Sequence, residues 1–138
     1  MKLNLKLISI TLLLASMTSC QKNQNLKGNY SYCYNGQYTE IYFKKDSVKV
    51  ANENEWIRLT EWHEMKLEGD TIQFLSFGEW KDSVEFIFKN IDGNLELNRL
   101  DDGVKLYLKS IEETIDFENE EDFWTLFSSR QIKNNCTN

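Results

Sequence analysis

The chain has 138 residues, with 16 Lys and Arg against 22 Asp and Glu, a net charge of −6, three cysteines, one histidine and no proline. An acidic balance repels phosphate backbones and anionic headgroups, which argues against a nucleic-acid partner and against attachment to acidic lipid by charge. One histidine is too few for the common zinc and hydrolase sites, and the length supports one core but not two.

At the N-terminus Lys2 and Lys6 precede a nearly unbroken apolar run from Leu7 to Ala15, followed by Ser16, Thr18 and Ser19. This is the layout of a secretory signal peptide. The run is about half the roughly 20 apolar residues that a spanning helix needs. The segment Met17-Thr18-Ser19-Cys20 resembles a bacterial lipobox, like those of small lipoproteins of the Bacteroidota, with Met17 where Leu is usual. The resemblance implies removal of residues 1–19 and acylation of Cys20 with fatty chains such as palmitate. Two or more chains anchor a protein stably where one does not. The alternative is a conventional signal peptide cut after Ala15 or Ser19. Removing residues 1–19 takes away two lysines and no acid, which moves the net charge to about −8. Residues 20–27 read as the lipidated cysteine and a polar tether. Gln21 is not the Asp that holds enterobacterial lipoproteins at the inner membrane, and the tether lacks the acidic run of surface-exported ones. The resemblance therefore implies the outer membrane, periplasmic face, with the acyl anchor as the membrane contact.

Residues 28–138 form the predicted single domain. Short alternating stretches are divided by turn signals. "NYSYCYN" is separated from "YTEIYF" by Asn35-Gly36, a strong hairpin dipeptide. "SVKVA" follows Lys44-Lys45-Asp46. "EWIRL" and "EMKLE" flank a less regular stretch around Trp62. "TIQFLSF" follows Gly69-Asp70, and "DSVEFIF" sets Val84, Phe86 and Phe88 on one face. "NLELN" follows Asp92-Gly93, and "VKLYLKS" follows Asp102-Gly103. The reading is a mainly β, antiparallel meander of about eight strands. "ENEEDFWTLFSSRQIK" breaks the alternation and predicts one amphipathic helix near residues 119–133. Asn119 is its N-cap, Phe123, Trp124 and Phe127 its apolar stripe, and Arg130 and Lys133 suit the negative end of its dipole. The stripe is expected to pack on the sheet or plug one end.

Eight strands followed by a helix is similar to the lipocalin plan, and "LKGNYSY" resembles the Gly-x-Trp opening of that family with Tyr30 in place of Trp. The resemblance implies a closed barrel; a strongly curved open sheet covered by the helix is the alternative.

Cys33 and Cys136 remain after lipidation and bracket the domain. In an oxidising compartment they form a disulfide, or else are two unrelated thiols. The acids at 112, 113, 116, 118 and 120–122 fit no calcium loop and suit a solvated helix start, so no metal or other cofactor is expected. No nucleophile elbow, phosphate loop or dinucleotide fingerprint occurs, and His63 reads as an edge or loop residue. The aromatics carry the functional expectation. Tyr30, Tyr32 and Tyr34 share one face of the first strand, and Tyr38 and Tyr42 share one face of the second. Facing a barrel interior, they would line a cavity for a small amphipathic ligand; otherwise they are core and cross-strand pairs. The expected function is a non-enzymatic envelope lipoprotein binding such a ligand or an envelope protein. The alternative is an accessory or inhibitory interaction factor without a cavity.

Overall fold

The computed structural model describes residues 25–54, 57–77 and 82–136. Eight strands run in chain order: β1 Gly28–Tyr34, β2 Gln37–Lys44, β3 Ser47–Asn52, β4 His63–Glu68, β5 Thr71–Leu75, β6 Ser83–Ile91, β7 Asn94–Arg99 and β8 Lys105–Ser110. Each pairs antiparallel with the next, and β1 pairs with β8, so the meander closes into a barrel. The closing seam is short, Tyr30 opposite Ser110 and Ser31 opposite Lys109, and is extended by a hydrogen bond from Ile111 N to Asn29 O of 2.8 Å. Closure removes the open edges that an exposed sheet would offer to other chains.

The turn chemistry explains the order. Asn35 and Gly36 both take positive φ, 50° and 73°, which is the two-residue turn whose twist suits a hairpin. Asp92 and Gly93 repeat it at 53° and 86°. With no proline in the chain, the other turns also rest on positive φ, Lys45 at 51° between β2 and β3 and Gly69 at 62° between β4 and β5. The described part of "EWIRL", residues 57–59, is not a strand: there only Leu59 makes a bridge, to Ala51. Thr60 occupies the ladder site instead. Its N–H donates to Val50 O (3.0 Å) and its hydroxyl accepts from Val50 N–H (3.0 Å), a side chain standing in for a strand carbonyl.

Alternation sorts the side chains into two clusters. Inside the barrel lie Tyr30, Ile41, Val50, Ile72, Phe86 and Leu97 with their neighbours. Leu26, expected in the tether, is 3% exposed and belongs to this cluster, so the chain packs into the barrel two residues before β1. The second cluster lies outside, under helix α1 (Glu120–Asn134), where Phe123 and Phe127 meet Tyr38, Tyr42 and Ala51. The helix therefore packs on the side of the barrel and does not plug an end. Asn119 caps it as expected, its side chain accepting from Asp122 N–H at 3.2 Å, and Asn135 ends it at φ 37°. Trp124 is half-buried, its ring covered by the Arg58 guanidinium at 5.1 Å.

Candidate functional site

The five strand tyrosines do not share one environment. Tyr30, Tyr32 and Tyr34 pair with Ile41, Thr39 and Gln37, whereas Tyr38 and Tyr42 pair with Cys33 and Asn29. Alternation therefore points the first three inward and the last two outward, beneath α1. The expectation that all five could line a cavity is corrected: only Tyr32 and Tyr34 do so. Tyr30 fills the opposite end of the interior, its ring edge-on to Phe43 at 6.0 Å.

The cavity sits at the end of the barrel that carries the Asn35-Gly36 turn, and its volume is about 220 Å³. Its walls differ. On the β5–β6 side, Phe74 stacks on Phe86 (5.8 Å, 18°) and tilts against Phe77 (5.6 Å). Ile41, Val50 and Leu97 extend the apolar lining. On the β1–β3 side, Tyr32, Thr39 and Asn52 bring hydroxyl and amide groups to the same space. Burial pushes the Tyr32 hydroxyl's pKa up, partly offset by hydrogen bonding to Thr39, so it stays a neutral donor. Asn52 is buried, and its Oδ1 accepts from Asn54 N–H at 2.9 Å. Arg99 completes the rim. Its Nε contacts Asp102 Oδ1 (2.8 Å) and Asp101 Oδ1 (3.2 Å), and its NH2 donates to Asp102 Oδ2. Asp102 is held in turn by Val104 N–H (3.1 Å), and the hydrogen bonds from Arg99 and Val104 keep its carboxyl far below the usual carboxylate range.

The other end is packed, with Leu26, Phe43, Phe88 and Leu108 in the inner cluster. The interior is thus filled at the end where Leu26 enters and hollow at the other. An apolar wall facing a hydrogen-bonding wall is what binds a small molecule with one polar edge.

A separate polar network lies under α1. Glu40, wholly buried between Tyr38 and Tyr42, accepts from both hydroxyls, at 2.7 Å and 2.5 Å. Arg130 meets the same carboxylate in a fork, Nε to Oε1 at 2.7 Å and NH2 to Oε2 at 3.0 Å. Its NH1 reaches Glu113 Oε2 at 3.3 Å. Arg130, read from the sequence only as suiting the helix dipole's negative end, is 5% exposed. Its hydrogen bonds and charge interaction with Glu40 outweigh desolvation and raise its pKa. Burial first, then the Glu40 charge and hydrogen bond, raise Tyr42 well above the ordinary tyrosine value; Tyr38 is raised in the same way. This cluster is saturated with partners and offers no binding site. It fastens the helix to the barrel, and the structure adds a second fastening by joining Cys33 to Cys136 across a Cα–Cα distance of 5.5 Å.

His63 opens β4, its ring 4.7 Å from Phe77. Trp62 packs outside the barrel on Phe117, with Lys44 and Lys49 over its ring, and lines no part of the cavity. Trp56, Trp80 and the lipidation candidate Cys20 lie outside the described residues. Among the described residues no three His, Cys, Asp or Glu gather as a metal site, and no helix is long and apolar enough to cross a membrane.

Sequence reasoning missed Thr39, Asn52 and Arg99 on the polar side, although each is in phase with buried neighbours: Thr39 with Ile41, Asn52 with Val50, Arg99 with Leu97. A polar residue that keeps the period of an inward-facing strand was the available signal. The sequence matches no protein-family model, no curated protein and no solved structure.

Proposed function

We propose that this chain is a lipid-anchored binding protein of a bacterial envelope, holding a small amphipathic molecule in the open end of its barrel. The observation that carries the reading is the two-sided cavity of about 220 Å³. A barrel filled end to end by side chains would have favoured the accessory-factor alternative. We assign no reaction to the site and no cofactor. The lipobox-like Met17-Thr18-Ser19-Cys20 supports the anchor, Gln21 supports the outer membrane, and a stretch after Cys20 without an acidic run supports its periplasmic face.

The described chain begins at the packed end of the barrel, opposite the cavity. The tether enters beside Leu26, and β1, seven residues long, carries the chain from there to the rim residue Tyr34. At about 3.4 Å per residue, that is roughly 20 Å. Two experiments test the reading. Cys20→Ser should move the protein from the membrane fraction to the soluble or unprocessed fraction; a processed variant that stays membrane-bound overturns the anchor. Val84→Trp should fill the cavity and abolish binding of 2-naphthol measured by calorimetry; unchanged binding overturns the cavity.

A further inference from the structure

Among the described residues the cavity's lining carries one cation, Arg99, at the rim where a carboxylate or phosphate headgroup would meet it. That cation is already committed. Asp102 takes both its Nε and NH2, Asp101 takes Nε as well, and Val104 N–H fixes Asp102 in place. Two carboxylates on one guanidinium give this group of three side chains a net negative charge. An incoming anion would have to displace Asp102 or sit beside it. A cation fares no better inside, because the described lining residues include no carboxylate, and Asp101 and Asp102 are engaged by Arg99. Desolvating any charge without a partner is unfavourable, whereas a hydroxyl or amide can pair with Tyr32, Thr39 and Asn52.

We propose that the cavity selects an uncharged, compact ring compound with one hydrogen-bonding edge, and that Asp102 is the residue that sets this selectivity by holding Arg99. The ring fits the space. A cavity of about 150 Å³ takes benzene, so this one takes a fused pair of rings, whereas a long acyl chain needs the larger pockets typical of bigger ligands. The stacked Phe74 and Phe86 offer a flat wall to such a ring, opposite the polar side.

The inference rests on the binding reading above, and its test separates the two. The full chain in lipid nanodiscs is titrated calorimetrically, with empty nanodiscs as blank, against three molecules that share one ring system: 2-naphthol, 2-naphthoate and 2-naphthylmethylammonium. The expected result is that 2-naphthol binds at least about ten-fold more tightly than either ion, a ratio worth about 1.4 kcal/mol. In Asp102→Asn, which keeps an oxygen for Val104 N–H but leaves Arg99 paired only with Asp101, the ratio of naphthol to naphthoate affinity should fall to near one. Binding of none of the three removes the cavity reading and this inference with it. Binding of naphthoate or the ammonium as tightly as naphthol leaves the cavity reading standing and overturns this one. An unchanged ratio in Asp102→Asn overturns the role of Asp102.

Discussion

Replacing Glu40 with Gln is the sharpest perturbation of how the helix is held. In the wild type the Glu40 and Arg130 side chains are 0% and 6% exposed, so water screens the pair little. Glu40→Gln keeps the shape but leaves the Arg130 guanidinium buried, with only Glu113 nearby, whose side chain is 53% exposed and 3.3 Å away. Breaking a buried pair from one side typically costs about 3–5 kcal/mol, much of it the desolvation of the abandoned charge. That is a large share of the roughly 5–15 kcal/mol that stabilises a small domain. At about 4 °C per kcal/mol, the melting temperature should fall by roughly 12–20 °C. Arg130→Met removes the orphaned cation, so the double variant Glu40→Gln/Arg130→Met should be less destabilised than the sum of the singles. Urea unfolding of the four proteins, followed by circular dichroism with the disulfide intact, measures the cycle. A Glu40→Gln loss under about 1 kcal/mol, in the range of exposed pairs, would refute the buried clamp.

Two further outcomes follow from the same face of the barrel. The Cys33–Cys136 bridge closes a loop of 103 residues, worth at most about 4.7 kcal/mol by chain entropy; non-reducing peptide mapping of never-reduced protein should find it, and two freely alkylated thiols would end the claim. Of the six tyrosines, four have pKa values raised from an ordinary value of 10.0 with burial the first cause, Tyr38 and Tyr42 the most. Because the native state holds the neutral form, their contribution to stability is complete below pH 10 and is lost as pH rises beyond it. Spectrophotometric titration should show these two ionising only together with alkaline unfolding, and ionisation in the folded protein near pH 10 would contradict their burial.

Much of the barrel is legible in the sequence because its signals are local. Asn35-Gly36 and Asp92-Gly93 state their own turns, and Asn119 with the Phe123–Phe127 stripe states the helix. The tyrosine faces were legible too, but need one more step. A two-residue turn sets even positions of one strand opposite odd positions of the next, so Tyr30 and Tyr42 cannot face the same side. Three other features could not be read locally. Leu26 sits among polar neighbours and is buried by the tertiary fold. "EWIRL" alternates like a strand, yet the Thr60 side chain replaces the ladder. Glu40 and Arg130 lie 90 residues apart, and nothing along the chain pairs them before the barrel closes. The cavity is of the same kind, since residues from β1, β3, β5 and β7 meet there only once β1 reaches β8.

The central claim is that the open end of this barrel holds an uncharged small molecule in the cell. Native mass spectrometry of the mature protein, purified from its own membrane, tests it most directly. The account predicts a released species of small mass, neutral at pH 7, present with the wild type and missing from Val84→Trp purified in parallel. A bare wild-type protein, or an adduct that persists unchanged in Val84→Trp, would contradict it.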